Sequence, residues 1–281
     1  MRSLFGPVQG GFQERRDGLT RARHSTELRR MRTLVLMRHG ATLWGEENRF
    51  AGWGDTPLSE TGMKEARKAA ATLVRSGLSF DIGYTSCLRR AQQTLDIALD
   101  EMQQRDLPVR REWRLNERHY GALQGETRSA MIDRYGNSHV VEWRRSFDTI
   151  PPALKDDDPR WQEQLDRLPQ IPIADQPRTE SMAQAADRIA PLWHEAIRPD
   201  LAAGKQLLVV AHTSALRGLI RLIEGLSDKE AADFRIATAI PRVYVMDENF
   251  KTIRTMDLSE GTAASIRYWV TALKPRRIGW I

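Results

Sequence analysis

Two apolar runs, far apart in this chain, each deliver a histidine at their end. Leu34-Val35-Leu36-Met37 runs into Arg38-His39-Gly40, and Leu207-Leu208-Val209-Val210-Ala211 runs into His212. Short apolar runs bounded by a turn signal predict buried strands. Open α/β sheets gather their ligands at the carboxyl ends of such strands. One sheet edge should therefore bring two imidazoles together. Arg38 beside the first, and Arg89-Arg90 opening a predicted helix, point to an anion there, since guanidinium matches phosphate bidentately. Gly40 is expected to let backbone approach that anion closely.

The stretches between alternate as strands and helices. Apolar spacing and end signals predict helices over 60–76, 88–104, 181–198 and 214–224, the first capped by Ser59 and ended by Gly77. Strands are predicted over 80–85, 109–113 and 205–211, with two closing strands over 243–246 and 252–256. A long polar loop is expected over 41–59. Residues 114–180 break the alternation and end in a Pro-rich stretch, so they read as an irregular cap inserted into the core. The fold class expected is α/β: three layers, α/β/α, around a mostly parallel central sheet, with that cap inserted. The domain reading is a basic disordered extension over 1–32, a catalytic domain over 33–258 with its cap at about 114–180, and a C-terminal tail over 259–281.

Charge narrows the function classes. The net charge is +6, but residues 1–32 hold eight Arg and only three acids, leaving the body near neutrality. Basicity confined to a tail argues against a nucleic-acid-binding body. Met31, just ahead of the first strand, is a second candidate start. One cysteine, Cys87, excludes an intrachain disulfide and any multi-Cys metal site, and is expected to pack. No apolar run is long enough to span a bilayer and the N-terminus lacks a secretory apolar core, so the expected setting is cytoplasmic, without a membrane partner. Asp156-Asp157-Asp158 is read as a solvated acidic turn and no metal is expected. His24, His139 and His194 match no motif.

The sequence resembles the 2,3-bisphosphoglycerate-dependent phosphoglycerate mutases of the histidine phosphatase superfamily, from Thr33 to Leu258. The matches are Leu-Val-Leu-Met-Arg-His-Gly, Asn48-Arg49-Phe50 with Gly52-Trp53, and Leu58-Ser59. They continue through Tyr84-Thr85-Ser86 leading to Arg89-Arg90-Ala91, Arg114-Leu115-Asn116-Glu117-Arg118-His119-Tyr120-Gly121 and Trp143-Arg144-Arg145-Ser146. The last are Glu180-Ser181 and Ala211-His212 with Leu216-Arg217-Gly218. The Arg114–Gly121 block and Trp-Arg-Arg-Ser are marks of the mutase branch; Arg-His-Gly belongs to the whole superfamily.

The resemblance implies that His39 accepts and donates a phosphoryl group, held by Arg38, Arg90 and His212, while Glu117 exchanges the proton at the substrate oxygen. A Glu117 pKa raised by burial would aid that exchange. Thr42, Gly52, Arg118, Tyr120, Arg128, Arg144, Arg145 and Ser214 are implied as substrate contacts. It also implies 2,3-bisphosphoglycerate as phosphoryl primer, a small phosphorylated acid as substrate and a homodimer or larger homo-oligomer. The activity implied is interconversion of 3- and 2-phosphoglycerate. The alternative is a phosphatase or mutase of the same superfamily for another small phosphorylated acid. It draws on departures at contact positions: Ala41 for a usual Glu, Gly45 for Asn, Ala51 for Ser or Thr, Arg128 for Lys, and Thr213-Ser214 for Gly-Asn.

Overall fold

Seven residues, Arg32–Arg38, form the strand β1, and its side chains divide strictly between two apolar layers. Leu34 and Leu36 face one core, Val35 and Met37 the other. The computed structural model describes residues 31–263 and Ile266. The extension ahead of Met31, with His24, and most of the 259–281 tail lie outside the described residues.

The helix α1 (Leu43–Glu46) interrupts the expected loop, and α2 (Glu60–Arg75) follows with Ser59 accepting the Gly62 N–H as its cap. Next come β2 (Ile82–Thr85), α3 (Arg89–Glu101) and the short β3 (Val109–Arg111). The segment expected to be irregular carries three helices instead: α4 (Arg128–Tyr135), α5 (Asn137–Arg145) and α6 (Pro159–Arg167). They close small cores of their own, Phe50, Leu123, Met131, Val140 and Trp143 in one, Trp53, Leu168 and Ile171 in another. Elements this short show too few apolar positions for a period to be read.

The 181–198 stretch is not one helix. It runs as α7 (Met182–Asp187), α8 (Ile189–Leu192), a π turn at Trp193–Ile197 and α9 (Arg198–Ala202). Pro191 and Pro199 remove two amide donors from the i→i−4 ladder, which accounts for the breaks. Then follow β4 (Leu207–Ala211), α10 (Thr213–Glu224), α11 (Asp228–Asp233), β5 (Arg242–Met246) and β6 (Thr252–Asp257). Sequence reasoning missed α11, although Ser227 and Glu230 form a reciprocal capping box that announces it.

The six strands are ordered β3-β2-β4-β1-β5-β6. β3, β2, β4 and β1 are parallel; β5 runs antiparallel to both β1 and β6. One face packs on α7–α10 through Leu192, Trp193, Ile197, Leu216, Leu219 and Ile220. The other packs on α2 and α3 through Ala69, Ala70, Leu73, Leu95, Ala98 and Leu99. The architecture is the three-layer α/β/α fold with a mostly parallel sheet. Burial of β1 and β4 on both faces explains why they are continuous apolar runs and not alternating ones.

Candidate active site

β1 and β4 pair in parallel with Arg38 opposite Ala211, so His39 and His212 leave neighbouring strands side by side. The His39 amide donates to the Ala211 carbonyl at 3.0 Å, and the two ring centroids lie 4.9 Å apart. Both rings are buried. His39 Nδ1 lies 2.7 Å from the Gly40 carbonyl oxygen, which can only accept. Nδ1 therefore carries the proton, and the neutral ring keeps its lone pair on Nε2. Burial, then the charges of Arg90 and Arg38, hold the His39 pKa well below the ordinary imidazole value. His212 is lowered in the same way by burial and Arg90. The ring at the end of β1 is thus uncharged at neutral pH with a free lone pair, the state that nucleophilic attack requires.

Two arginines flank it. Arg90, in the first turn of α3, is buried and donates to the Gly54 and Gly52 carbonyls at 2.9 and 2.8 Å. Burial drops its pKa to about 10, with Glu117 opposing, so it stays charged. Arg38 donates to the Ile236 carbonyl at 3.2 Å. Arg89, its neighbour in sequence, turns away and pairs with Asp55. Gly52 adopts φ +50°, and a Cβ there would meet Gln124 Oε1 at 2.3 Å, so the carbonyl that holds Arg90 depends on glycine.

Gly40 meets a packing constraint of its own. A Cβ on it would lie 2.4 Å from the Gly62 carbonyl oxygen, and a Cβ on Gly62 would lie 1.9 Å from the Ala41 oxygen. Both close approaches are between this loop and the first turn of α2. Gly62→Ala should accordingly reverse the usual helix preference. Ala ordinarily gains about 1 kcal/mol over Gly inside a helix, whereas here backbone must shift and the loss should be roughly 1–3 kcal/mol. Urea melts of the two proteins check this, and a more stable variant would contradict it.

Glu117 follows a 3-10 turn, Trp113–Leu115, at the base of the cap segment. Its backbone carbonyl accepts from Trp53 Nε1 at 2.6 Å and Arg188 Nη2 at 3.0 Å. Its carboxylate Oε1 accepts from the Arg118 amide at 2.8 Å and the Ser214 amide at 3.1 Å, the latter in the first turn of α10. The pKa is lowered and not raised. Burial pushes it up, but the hydrogen bonds from Ser214 and Arg118 and the charges of Arg90 and Arg118 outweigh burial and hold it below the ordinary range. Glu117 rests as a carboxylate.

His39, Arg38, Arg90 and Glu117 open on a cavity of about 730 Å³ lined by nine arginines against two carboxylates, Glu117 and Asp233, with His212 buried behind His39. The implied contacts Thr42, Gly52, Arg118, Tyr120, Arg128, Arg144, Arg145 and Ser214 all line it. Thr42 Oγ1 caps α1 by accepting the Gly45 amide and keeps its own proton to donate. Arg118 is fully buried, donates to Tyr120 Oη at 2.9 Å and lies 4.6 Å over that ring. Burial lowers the Arg144 pKa, as do Arg128, Arg145 and Arg118, a like-charge cluster that an anion would relieve. Buried N–H groups on Arg38, Arg90 and Arg118 have no partner among the described residues. A bis-anionic phosphate ester suits this donor set.

The departing residues Gly45, Ala51 and Thr213 also line the cavity, and Ala41 instead gives its amide to Glu65 at 2.8 Å. Sequence reasoning assigned no role to Arg49, Arg217 or Arg235, which line the cavity too. Arg217 was quotable only as part of a matching tripeptide; no pattern distinguishes a cavity arginine from a solvated one. Cys87 is half-buried, as expected, and burial pushes its thiol pKa up. His119, buried, accepts from the Gly121 amide through Nδ1, which leaves Nε2–H to donate to Gln164 Oε1. Its ring ties the Glu117 loop to α6. His139 and His194 are exposed.

Residues 34–170 and 153–258 match the model of the histidine phosphatase superfamily, branch 1. A 2,3-bisphosphoglycerate-dependent phosphoglycerate mutase from Hamiltonella defensa is 42% identical over 243 residues, covering 86% of this chain and 97% of that protein. Among solved structures, a mycobacterial glucosyl-3-phosphoglycerate phosphatase superposes with a TM-score of 0.60 at 24% identity, over 81% of this chain and 97% of that one. A phosphoglycerate mutase from Bacillus anthracis does so with the same score at 20% identity, over 86% and 99%. These two likenesses concern the fold.

Proposed function

The chain belongs to the histidine phosphatase superfamily, and from that premise we propose that it is a 2,3-bisphosphoglycerate-dependent phosphoglycerate mutase, interconverting 3- and 2-phosphoglycerate. The observation that carries the reading is the 42% identity, along 97% of its length, to a curated enzyme of that name. The site supports it. An uncharged nucleophilic imidazole, a carboxylate able to move a proton and a strongly cationic cavity are the groups that such a transfer requires.

The primer 2,3-bisphosphoglycerate supplies the phosphoryl group that His39 first carries. Arg38, Arg90 and His212 would hold a phosphoryl group at His39 Nε2; Arg118, Arg128, Arg144 and Arg145 would hold the substrate's other anionic groups. In one half-reaction a phosphoglycerate hydroxyl attacks the phosphorus on His39, the P–N bond breaks, and the hydroxyl proton passes to Glu117. In the other, His39 Nε2 takes a phosphoryl group from the second ester oxygen and Glu117 returns the proton to that oxygen. Preorganised guanidiniums neutralise the charge developing on the three equatorial oxygens. The cap over 114–180 would keep water from the phosphohistidine. A homodimer or larger assembly, carried by the resemblance alone, and the cytoplasmic setting expected from the sequence belong to the same reading.

One isomerisation assay tests it. With 3-phosphoglycerate as substrate, catalytic amounts of 2,3-bisphosphoglycerate should produce many turnovers to 2-phosphoglycerate and its omission should leave few. Efficient release of inorganic phosphate with little isomerisation would overturn the reading in favour of a phosphatase for another small acid. That alternative draws on Gly45, Ala51 and Arg128 at the cavity wall.

A further inference from the structure

The register between β2 and β4 sets Thr85 opposite Val210, so the residues just beyond, Ser86 and His212, meet where the two strands end. Both are fully buried. Ser86 Oγ accepts the Leu88 amide at 3.1 Å, a local turn that fixes the serine at the entrance to α3. The same oxygen lies 2.7 Å from His212 Nε2. His212 Nδ1 is buried without a partner among the described residues.

We propose that Ser86 is a positioning residue that donates its hydroxyl proton to His212 Nε2 and so holds this ring in the Nδ1–H tautomer, presenting an N–H to the transferring phosphoryl group. The proposal rests on the phosphoryl-transfer reading of the site. Oγ already accepts from Leu88, and the described residues offer its proton one acceptor, His212 Nε2. If Nε2 carried the ring proton instead, the buried hydroxyl proton would have no acceptor. Nδ1 would then aim a lone pair at phosphoryl oxygens, which is repulsive.

His39 and His212 thus share a tautomer and use opposite ends of it. Gly40 takes the His39 Nδ1 proton and frees the Nε2 lone pair for attack; Ser86 occupies the His212 Nε2 lone pair and frees the Nδ1 proton for donation. Burial beside Arg90 keeps the His212 ring uncharged, so its donor capacity comes from the tautomer and not from a positive charge.

The test is nitrogen NMR of histidine-labelled full-length protein, with the His212 signals identified by their loss in His212→Gln. Wild type should show Nδ1 protonated and Nε2 unprotonated. In Ser86→Ala, Nε2 protonation should appear, and kcat should fall about 100-fold with KM within about twofold, the effect of misplacing one transition-state donor. Nε2–H in wild-type His212 would overturn the proposal, as would unchanged kcat in a folded Ser86→Ala. If that variant does not fold, the wild-type spectrum decides alone. A wild type with this tautomer but no isomerase activity would sink the mutase reading and leave the tautomer assignment standing.

Discussion

His39→Gln should leave the protein folded and unable to carry a phosphoryl group, with isomerisation reduced by about 10⁴-fold or more. The size of the effect follows from what glutamine lacks. Its amide nitrogen has no available lone pair, so the covalent half-reaction disappears instead of slowing. The fold should survive because His39 already sits buried and uncharged between Arg90 and Arg38. Exchanging one neutral polar group for another leaves no unpaired charge behind. Arg38 would remain tied to the Ile236 carbonyl and Arg90 to Gly52 and Gly54. Intact mass after incubation with 2,3-bisphosphoglycerate provides the check. Wild type should gain one phosphoryl group and His39→Gln none. Label on the variant would move the nucleophile elsewhere, with His212, at 4.9 Å between centroids, the first place to look.

The route from sequence to this site was uneven, for reasons that differ by element. β1 and β4 were legible because burial on both faces demands unbroken apolar runs. Their partners followed, since a parallel pair must place the residues just past its ends together. Gly40 was singled out for a close backbone approach, and one such approach comes from α2. The residue type says that backbone comes close, but only the packing of α2 says which backbone. The cap was legible as an interruption and not as helices, because α4 to α6 bury one or two residues each and their cores are completed by Phe50 and Trp53 from elsewhere. Glu117 was singled out by its motif, which left the sign of its pKa open. Burial of a carboxylate usually raises that value, and two amide donors, one of them brought by α10 from far along the chain, reverse it. Long-range electrostatics of this kind leave no trace in local sequence.

That reversal sets the second large effect. Glu117→Gln should lower kcat by about 10²–10⁴-fold, the usual span for losing a positioned proton-transfer group, with KM changed only a few-fold. The glutamine Oε1 can still accept from Ser214 and Arg118, so the loop geometry holds and only the titrating function is lost. The pH profile separates this from a structural defect. A base whose pKa is lowered stays ionised as the medium acidifies, and its activity is lost only as pH falls through that lowered value. The acid limb of kcat/KM attributable to Glu117 should therefore lie below the ordinary Glu value of 4.5. A bound phosphate ester adds negative charge beside the carboxylate and favours its protonated form, so the limb in kcat should sit at higher pH than the limb in kcat/KM. Glu117→Gln should lack both limbs. A wild-type limb in kcat/KM near pH 6 that vanishes in the variant would mean that burial dominates after all and that the Ser214 and Arg118 amides do not control this group.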